Sequence, residues 1–402
     1  MRSLFLTISA VLALGLSGCG GGGGGTAATT PSTPVTPVAT SNQVAITVNQ
    51  GLDGAVDTPN VSVTICVPGT ATCQTIPNVL VDTGSFGLRL FASSITIPLP
   101  TSTMGGGTLT NCAQFGLGTT YGSVQLADVK FAGEVGGSTP IQVIADPNFA
   151  TVPSSCLNGG AVNVASPATL KSNGILGIGA EPIDCPGCET NASQSLYYVC
   201  TSATSCTQTT AAAAVQVTNP VVKFAQHNNG TVLSLPSVSA SGSSSVSGVM
   251  TFGIGTQTDN ALGSATIYTT TGYVPGQLYD TFTTVFNSRS NVAFVDSGSN
   301  GIFFDDSSIA QCTASIGFYC PASTLNLSAV IQGTNGTNSA QNFSVANAQT
   351  LFDNGAYAMN NIAGTYTAGT FDWGLPFFFG RSIYTAIDGK STPGGTGPYV
   401  AF

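Results

Sequence analysis

The stretch VLVDTGSFGLRL, residues 79–90, decides the reading of this chain because it returns as AFVDSGSNGIFF at residues 293–304. Laid on each other, the copies share Val81/Val295, Asp82/Asp296, Gly84/Gly298, Ser85/Ser299 and Gly87/Gly301, while Thr83 faces Ser297 and Leu88 faces Ile302. Each copy is an apolar run of strand propensity, an acid at its end, a tight Gly turn and a second apolar run. An acid held in such a strand-turn-strand loses hydration, and that cost must be offset by a partner. Two such acids in repeats that can face each other share it. The pattern predicts a carboxylate dyad of Asp82 and Asp296.

The rest of the composition fits a β protein. The chain has 402 residues, enough for two lobes and a sizeable core, and only 6% of them are charged. Gly, Ser and Thr are abundant and the helix formers Lys and Glu are scarce, as in all-β folds rich in turns. A net charge of −9 excludes nucleic acid as a partner, since no basic patch exists to neutralise phosphates. So few Lys and Arg also leave little to titrate in mild acid, which suits work at low pH.

The N-terminus reads as a processing signal. Arg2 supplies positive charge, residues 4–16 are a short apolar run, and Leu16-Ser17-Gly18-Cys19 closes it. The run is too short to span a membrane. Leu-Ser-Gly-Cys resembles a bacterial lipobox, which makes residues 1–18 a lipoprotein signal peptide and Cys19 the lipidated first residue of the mature chain. Residues 19–43, rich in Gly, Thr and Pro, then form a tether that holds a domain off a membrane. Gly20 after the cysteine resembles the outer-membrane sorting class. The expectation is an exported monomer, lipid-anchored in a bacterial cell envelope at the outer membrane.

With Cys19 set apart, ten of the eleven cysteines remain, and an even number in an exported chain implies five disulfides. Cys66/Cys73, Cys200/Cys206 and Cys312/Cys320 are spaced to close small loops. Cys112, Cys156, Cys185 and Cys188 are left with open connectivity, and Cys185-Pro-Gly-Cys188 has a redox or metal pair as its alternative.

Between these landmarks lie short strands punctuated by Gly, Pro, Asn and Ser. Residues 61–81 form a hairpin that delivers Asp82 to a loop, and residues 111–131 form a second. Residues 173–179, Asn-Gly-Ile-Leu-Gly-Ile-Gly, are so compact that their backbone must pass close to something. Residues 181–214 read as an irregular insertion, and residues 237–247, a Ser/Gly run, as a linker. The lobes are therefore residues 44–238, carrying Asp82, and 239–402, carrying Asp296.

Asp-Thr-Gly-Ser in one half and Asp-Ser-Gly-Ser in the other resemble the two active-site loops of pepsin-like aspartic proteases. Residues 173–179 resemble the segment that crosses behind the first aspartate in that family, and residues 115–122 with Asp128-Val129 resemble its flap hairpin. Residues 248–254 resemble the strand opening the second lobe, and the apolar end from Leu375 resembles the last strands. The likeness covers residues 44–402 and is weakest over 181–218. The chain is also similar to an uncharacterised group of bacterial lipoproteins of the same protease clan.

The resemblance implies an all-β, bilobal architecture with pseudo-twofold related lobes, and a membrane-anchored aspartic endopeptidase acting on peptide or protein substrates. Two carboxyl groups about 3 Å apart cannot both ionise, an effect for which aspartic proteases are the standing example. The charged partner acts as general base on a water, and the protonated one polarises the scissile carbonyl. Gly84 and Gly298 let backbone approach the dyad, Ser85 and Ser299 bind the outer oxygens, and Thr83 and Ser297 lock the loops in register. No cofactor and no metal is called for.

Two departures bear on activity. Phe115 stands where the family has a flap Tyr, with Tyr121 as the other candidate, and the second crossing segment reads as Leu375-Pro376 with Gly374 displaced before it. The alternative is an inactive pepsin-fold lipoprotein that binds peptide or glycan in the interlobe cleft; a structural envelope protein is a third reading. His227 reads as a turn residue, Trp373 and Phe377–Phe379 as core, and Arg381 as an ion-pair partner of Asp372 or Asp388.

Overall fold

The computed structural model describes residues 42–160, 162–274 and 278–402, all within one compact unit. Cys19, the segment 1–18 and nearly all of 19–43 lie outside the described residues. The architecture is all-β, with two short α-helices, Pro167–Leu170 and Ala348–Asp353, among the described residues.

The first half is built around a hairpin. In Pro59–Cys66 the residues Val61, Val63 and Ile65 point inward while Ser62 is exposed, the alternation of a strand with one face on a core. Its partner Cys73–Asp82 runs antiparallel to it, and a Cys66–Cys73 disulfide staples the tip. The strand Gly174–Ile178 then threads between the two arms of the Asp82 loop. It runs parallel to Cys73–Asp82, with Asp82 opposite Gly177, and antiparallel to Phe86–Phe91. Glycine is required there, because a Cβ on Gly177 would lie 2.6 Å from the Phe86 nitrogen.

The second half repeats the device. The strand Arg289–Asp296 runs parallel to Thr370–Gly374, with Asp296 opposite Gly374, and Ile302–Phe304 lies antiparallel on the other side. A Cβ on Gly374 would come within 2.0 Å of the Gly301 carbonyl oxygen. The second crossing segment is therefore Trp373-Gly374. Gly374 is not displaced; Leu375-Pro376 begins the following 3₁₀ turn.

A continuous sheet links the halves. The strand Gln43–Val48 pairs over its whole length with Val246–Phe252, and Gly230–Leu235 pairs with Arg381–Ala386. The 238/239 boundary read from the sequence falls between Gly230–Leu235 and Val246–Phe252. One core runs through both halves, and in the second it is largely aromatic: Phe286, Phe304, Phe343, Phe371, Trp373 and Phe377 are in mutual ring contact. The Trp373 ring N–H is buried but donates to Thr284 Oγ1 at 2.9 Å, so its burial leaves no orphan.

Residues 181–214 are more regular than expected. They contain a hairpin, Tyr197–Ser202 with Ser205–Thr209, that extends the sheet by pairing with Gly107–Phe115. All five disulfides form: Cys66–Cys73, Cys200–Cys206 and Cys312–Cys320 as spaced, and Cys112–Cys156 and Cys185–Cys188 from the four left open.

Candidate active site

Asp82 and Asp296 each end a strand, and each is held first by its own loop. The Gly84 N–H donates to Asp82 Oδ1 at 2.8 Å and the Ser85 hydroxyl to Oδ2 at 2.5 Å. In the other loop the Gly298 N–H donates to Asp296 Oδ1 at 2.7 Å and the Ser299 hydroxyl to Oδ2 at 2.8 Å. The sequence repeat is thus a repeat of bonding.

The loops also face each other. A Cβ on Gly84 would lie 2.5 Å from Asp296 Cγ, and one on Gly298 would lie 2.7 Å from Asp82 Oδ1. Each glycine therefore leaves room for the opposite carboxylate. Beneath them, Thr83 and Ser297 cross over. Thr83 Oγ1 donates to the Val295 carbonyl and accepts from Ser297 N–H; Ser297 Oγ donates to the Val81 carbonyl and accepts from Thr83 N–H. All eight predicted dyad and support residues converge on one point.

The electrostatics differ between the two acids. Asp82 is 5% exposed, and burial, followed by the negative charge of Asp296, pushes its carboxyl well above the usual carboxylate range. Asp296 is half-buried. The surroundings of Asp82 therefore favour a proton on that carboxyl.

The remaining predicted residues fall elsewhere. Gly107–Phe115 and Gly118–Phe131 form the predicted hairpin, with Phe115 at its tip and its ring near the Arg89 guanidinium, 5.8 Å from carbon to centroid. Tyr121 is buried, and its hydroxyl bonds Thr110 Oγ1 at 3.0 Å among the Cys200 and Cys206 sulfurs. That hydroxyl is spent inside the lobe, so Tyr121 does not supply the flap function. Arg381 is not an ion-pair partner of Asp372 or Asp388. It donates to the Phe377 carbonyl at 2.8 Å and lies over the Phe377 ring at 4.4 Å. His227 sits at φ 51° in a turn, bonded to Thr256 and Gln257.

Three features escaped the sequence reading. Arg89, just beyond the first loop, forms a buried ion pair with Asp184 at 2.9 Å, and Asn111 and Tyr197 satisfy the rest of that carboxylate. This network ties the Asp82 loop to the Gly107–Phe115 strand and to residues 181–214. Phe86, next to Ser85, stacks on Tyr279, which packs edge-on against Tyr273. Asp372, two residues before Gly374, is a further buried acid near the dyad, 1% exposed. Among the described residues no cluster of His, Cys, Asp or Glu could hold a metal ion, and no helix is long and apolar enough to cross a membrane.

Comparison with solved structures places this geometry in a known fold. The chain is similar to the crystal structure of an aspartic proteinase from Irpex lacteus, with a TM-score of 0.50 and 16% sequence identity over 89% of this chain and 96% of that one. The fold is accordingly pepsin-like. No curated protein matches the chain. Residues 38–402 match the sequence profile described as "Protein of unknown function (DUF3443)", and the chain belongs to that family.

Proposed function

We propose that this protein is an aspartic endopeptidase that hydrolyses peptide bonds with a water activated between Asp82 and Asp296. The observation that carries the reading is the reciprocal seating of the two carboxyls. Each is bonded by its own Gly N–H and Ser hydroxyl, and each faces the other loop's glycine. A fold that only bound peptide would gain nothing from burying two like-charged acids against each other, which costs desolvation and Coulomb energy.

In this mechanism the proton resides on Asp82, the more buried acid, and the charge on Asp296. Asp296 takes a proton from the attacking water while Asp82 hydrogen-bonds the scissile carbonyl oxygen as it becomes tetrahedral. The Gly and Ser donors keep the carboxyl planes fixed, so little reorganisation accompanies the transfer.

A second reading, an inactive binder of peptide or glycan, draws on the flap. Phe115 brings no hydroxyl to the hairpin tip, and the Tyr121 hydroxyl is engaged elsewhere. Calorimetry with a statine-type peptide, whose hydroxyl mimics the tetrahedral intermediate, separates the two. The peptidase reading expects it to bind far more tightly than the matching plain peptide, with that gap lost in Asp82→Asn. Equal binding of both peptides favours the binder.

The N-terminal signature supports anchoring of the catalytic unit to the cell envelope by a lipid on Cys19, with residues 19–43 as tether. Metabolic labelling with a fatty acid, lost in Cys19→Ser, is the expected result; equal labelling of both proteins would remove the anchor from the proposal.

A further inference from the structure

The motif Cys185-Pro186-Gly187-Cys188 has no part in the dyad. Its disulfide spans a sequence separation of 3, against 6, 7, 8 and 44 for the other four. A ring that small restricts the unfolded chain least, so stability explains this bridge least well.

Its two sulfurs sit in unlike surroundings. Cys185 is partly exposed. Cys188 is fully buried, and its Sγ accepts the Leu196 N–H at 3.1 Å. Among the described residues no other disulfide sulfur accepts a backbone N–H. Burial by itself disfavours a thiolate at Cys188, and this N–H bond offsets that. The asymmetry suits thiol–disulfide exchange, in which the reachable sulfur is attacked and the other leaves as a thiolate.

Both ends of the motif lead to Phe86. On one side Cys185 follows Asp184, whose carboxylate holds Arg89 at 2.9 Å, and Arg89 Nη2 donates to the Phe86 carbonyl at 3.2 Å. On the other side Gly187 lies against Tyr273, since a Cβ there would be 2.5 Å from the Tyr273 hydroxyl oxygen. Tyr273 packs edge-on against Tyr279, which stacks on the Phe86 ring. Phe86 is thus held by its carbonyl through one end of the motif and by its ring through the other. Its neighbour Ser85 donates to Asp82 Oδ2.

We propose that Cys185–Cys188 is a thiol–disulfide exchange site that takes a dithiol reductant, and that its redox state sets how firmly Phe86 is held beside the Asp82 loop. One thiolate of the reductant attacks Cys185 Sγ, the bond to Cys188 breaks, and its electron pair leaves on Cys188 Sγ. The second thiolate of the reductant then attacks the reductant's own sulfur in the mixed disulfide and releases Cys185. The reductant ends as a disulfide, and the two cysteines have gained its two electrons and two protons. With the bridge open, the Cys188 N–H bond to the Cys185 carbonyl, 2.9 Å long, is left to close the turn. Asp184 and Gly187 then no longer move as one piece, and the hold on Phe86 loosens. The exchange itself does not depend on the peptidase reading, whereas its effect on turnover does.

Thiol mapping tests the site. The full chain is equilibrated with graded ratios of reduced to oxidised dithiothreitol, free thiols are alkylated, and the modified cysteines are located by peptide mass spectrometry. Cys185 and Cys188 are expected to open at a ratio at least about tenfold lower than any other bridge requires. Another bridge opening first, or together with this one, would overturn the proposal.

Hydrogen exchange tests the coupling without turnover. The amides of residues 86–89 are expected to exchange about tenfold faster in the mildly reduced parent and in Cys185→Ala/Cys188→Ala than in the oxidised parent. Equal rates in all three would overturn the coupling. In the peptidase, kcat/KM is expected to fall about tenfold on mild reduction and to recover on reoxidation, while the double variant stays low and ignores the reductant. Activity that is the same in both redox states would overturn the link to the dyad. A chain that opens first at this bridge, loosens at Phe86 and cleaves nothing upholds the exchange site and sinks the peptidase reading alone.

Discussion

Thr83 and Ser297 exchange backbone and side-chain hydrogen bonds across the pseudo-twofold axis. Thr83 N–H donates to Ser297 Oγ at 3.1 Å and Ser297 N–H donates to Thr83 Oγ1 at 2.9 Å. Both hydroxyls pass their own protons on, to the Val295 and Val81 carbonyls. Both residues are buried, so truncating either leaves a donor and an acceptor unpaired. Thr83→Ala and Ser297→Ala are each expected to cost about 2–3 kcal/mol in denaturant unfolding. The double variant should cost close to the sum, because the truncations orphan different backbone groups, Ser297 N–H and the Val295 carbonyl in one case and Thr83 N–H and the Val81 carbonyl in the other.

Gly84 and Gly298 test the closeness of the loops without touching an acid. A methyl on Gly84 would have to displace the Asp296 carboxyl, since its Cβ would lie 2.5 Å from Cγ. Gly84→Ala should therefore fold, because Gly84 is exposed, yet lose at least about a hundredfold in kcat/KM. Steady-state kinetics alongside a thermal melt distinguishes this from general damage.

The buried acids make a prediction about pH. Asp57 is fully buried, holds the Met359 N–H with one oxygen and leaves the other unpartnered. Burial pushes its carboxyl well up. Burial and the charges of Asp388 and Asp280 push Glu181 up to about 8, and burial pushes Asp280 up to about 7. All three retain protons in the folded chain that the unfolded chain gives up near the ordinary carboxyl range. The contribution of Glu181 and Asp280 is complete below about pH 4 and is lost as pH rises toward 7–8, and that of Asp57 is lost in the same direction. The midpoint of urea unfolding should fall across that window, and Glu181→Gln should flatten the fall. A midpoint rising from pH 4 to 8 would contradict this assignment.

The disulfides should contribute unequally. In the loop-entropy account, Cys112–Cys156, with a separation of 44, contributes about 4 kcal/mol, and Cys66–Cys73, with a separation of 7, about 2.5. Replacing each pair by alanines and measuring unfolding ranks them. The reverse order would show that the small loop does more than limit the unfolded chain.

The dyad was legible because it is written twice, and a repeat of acid, hydroxyl, Gly and Ser at one spacing has few other physical uses. The first crossing segment was legible for a similar reason, since its alternating glycines fit no ordinary strand. Its partner was not, because bulky Trp373 precedes Gly374 and the apolar Leu375 that follows drew the reading two residues on. Only the register of Asp296 against Gly374 corrects it. With charges so scarce, the sequence offers Asp372 or Asp388 as ion-pair partners of Arg381, but Arg381 is satisfied by the Phe377 carbonyl and ring. The hairpin within 181–214 was missed because Thr and Cys carry strand propensity without an apolar alternation.

The most direct test of the dyad is cleavage of a randomised peptide mixture by the purified chain, from about pH 3 to about pH 7, beside Asp82→Asn and Asp296→Asn. The account predicts activity that peaks in acid, is blocked by a statine-type inhibitor and vanishes in both variants. A correctly folded parent chain that cleaves nothing at any pH, or variants that cleave as it does, would contradict it.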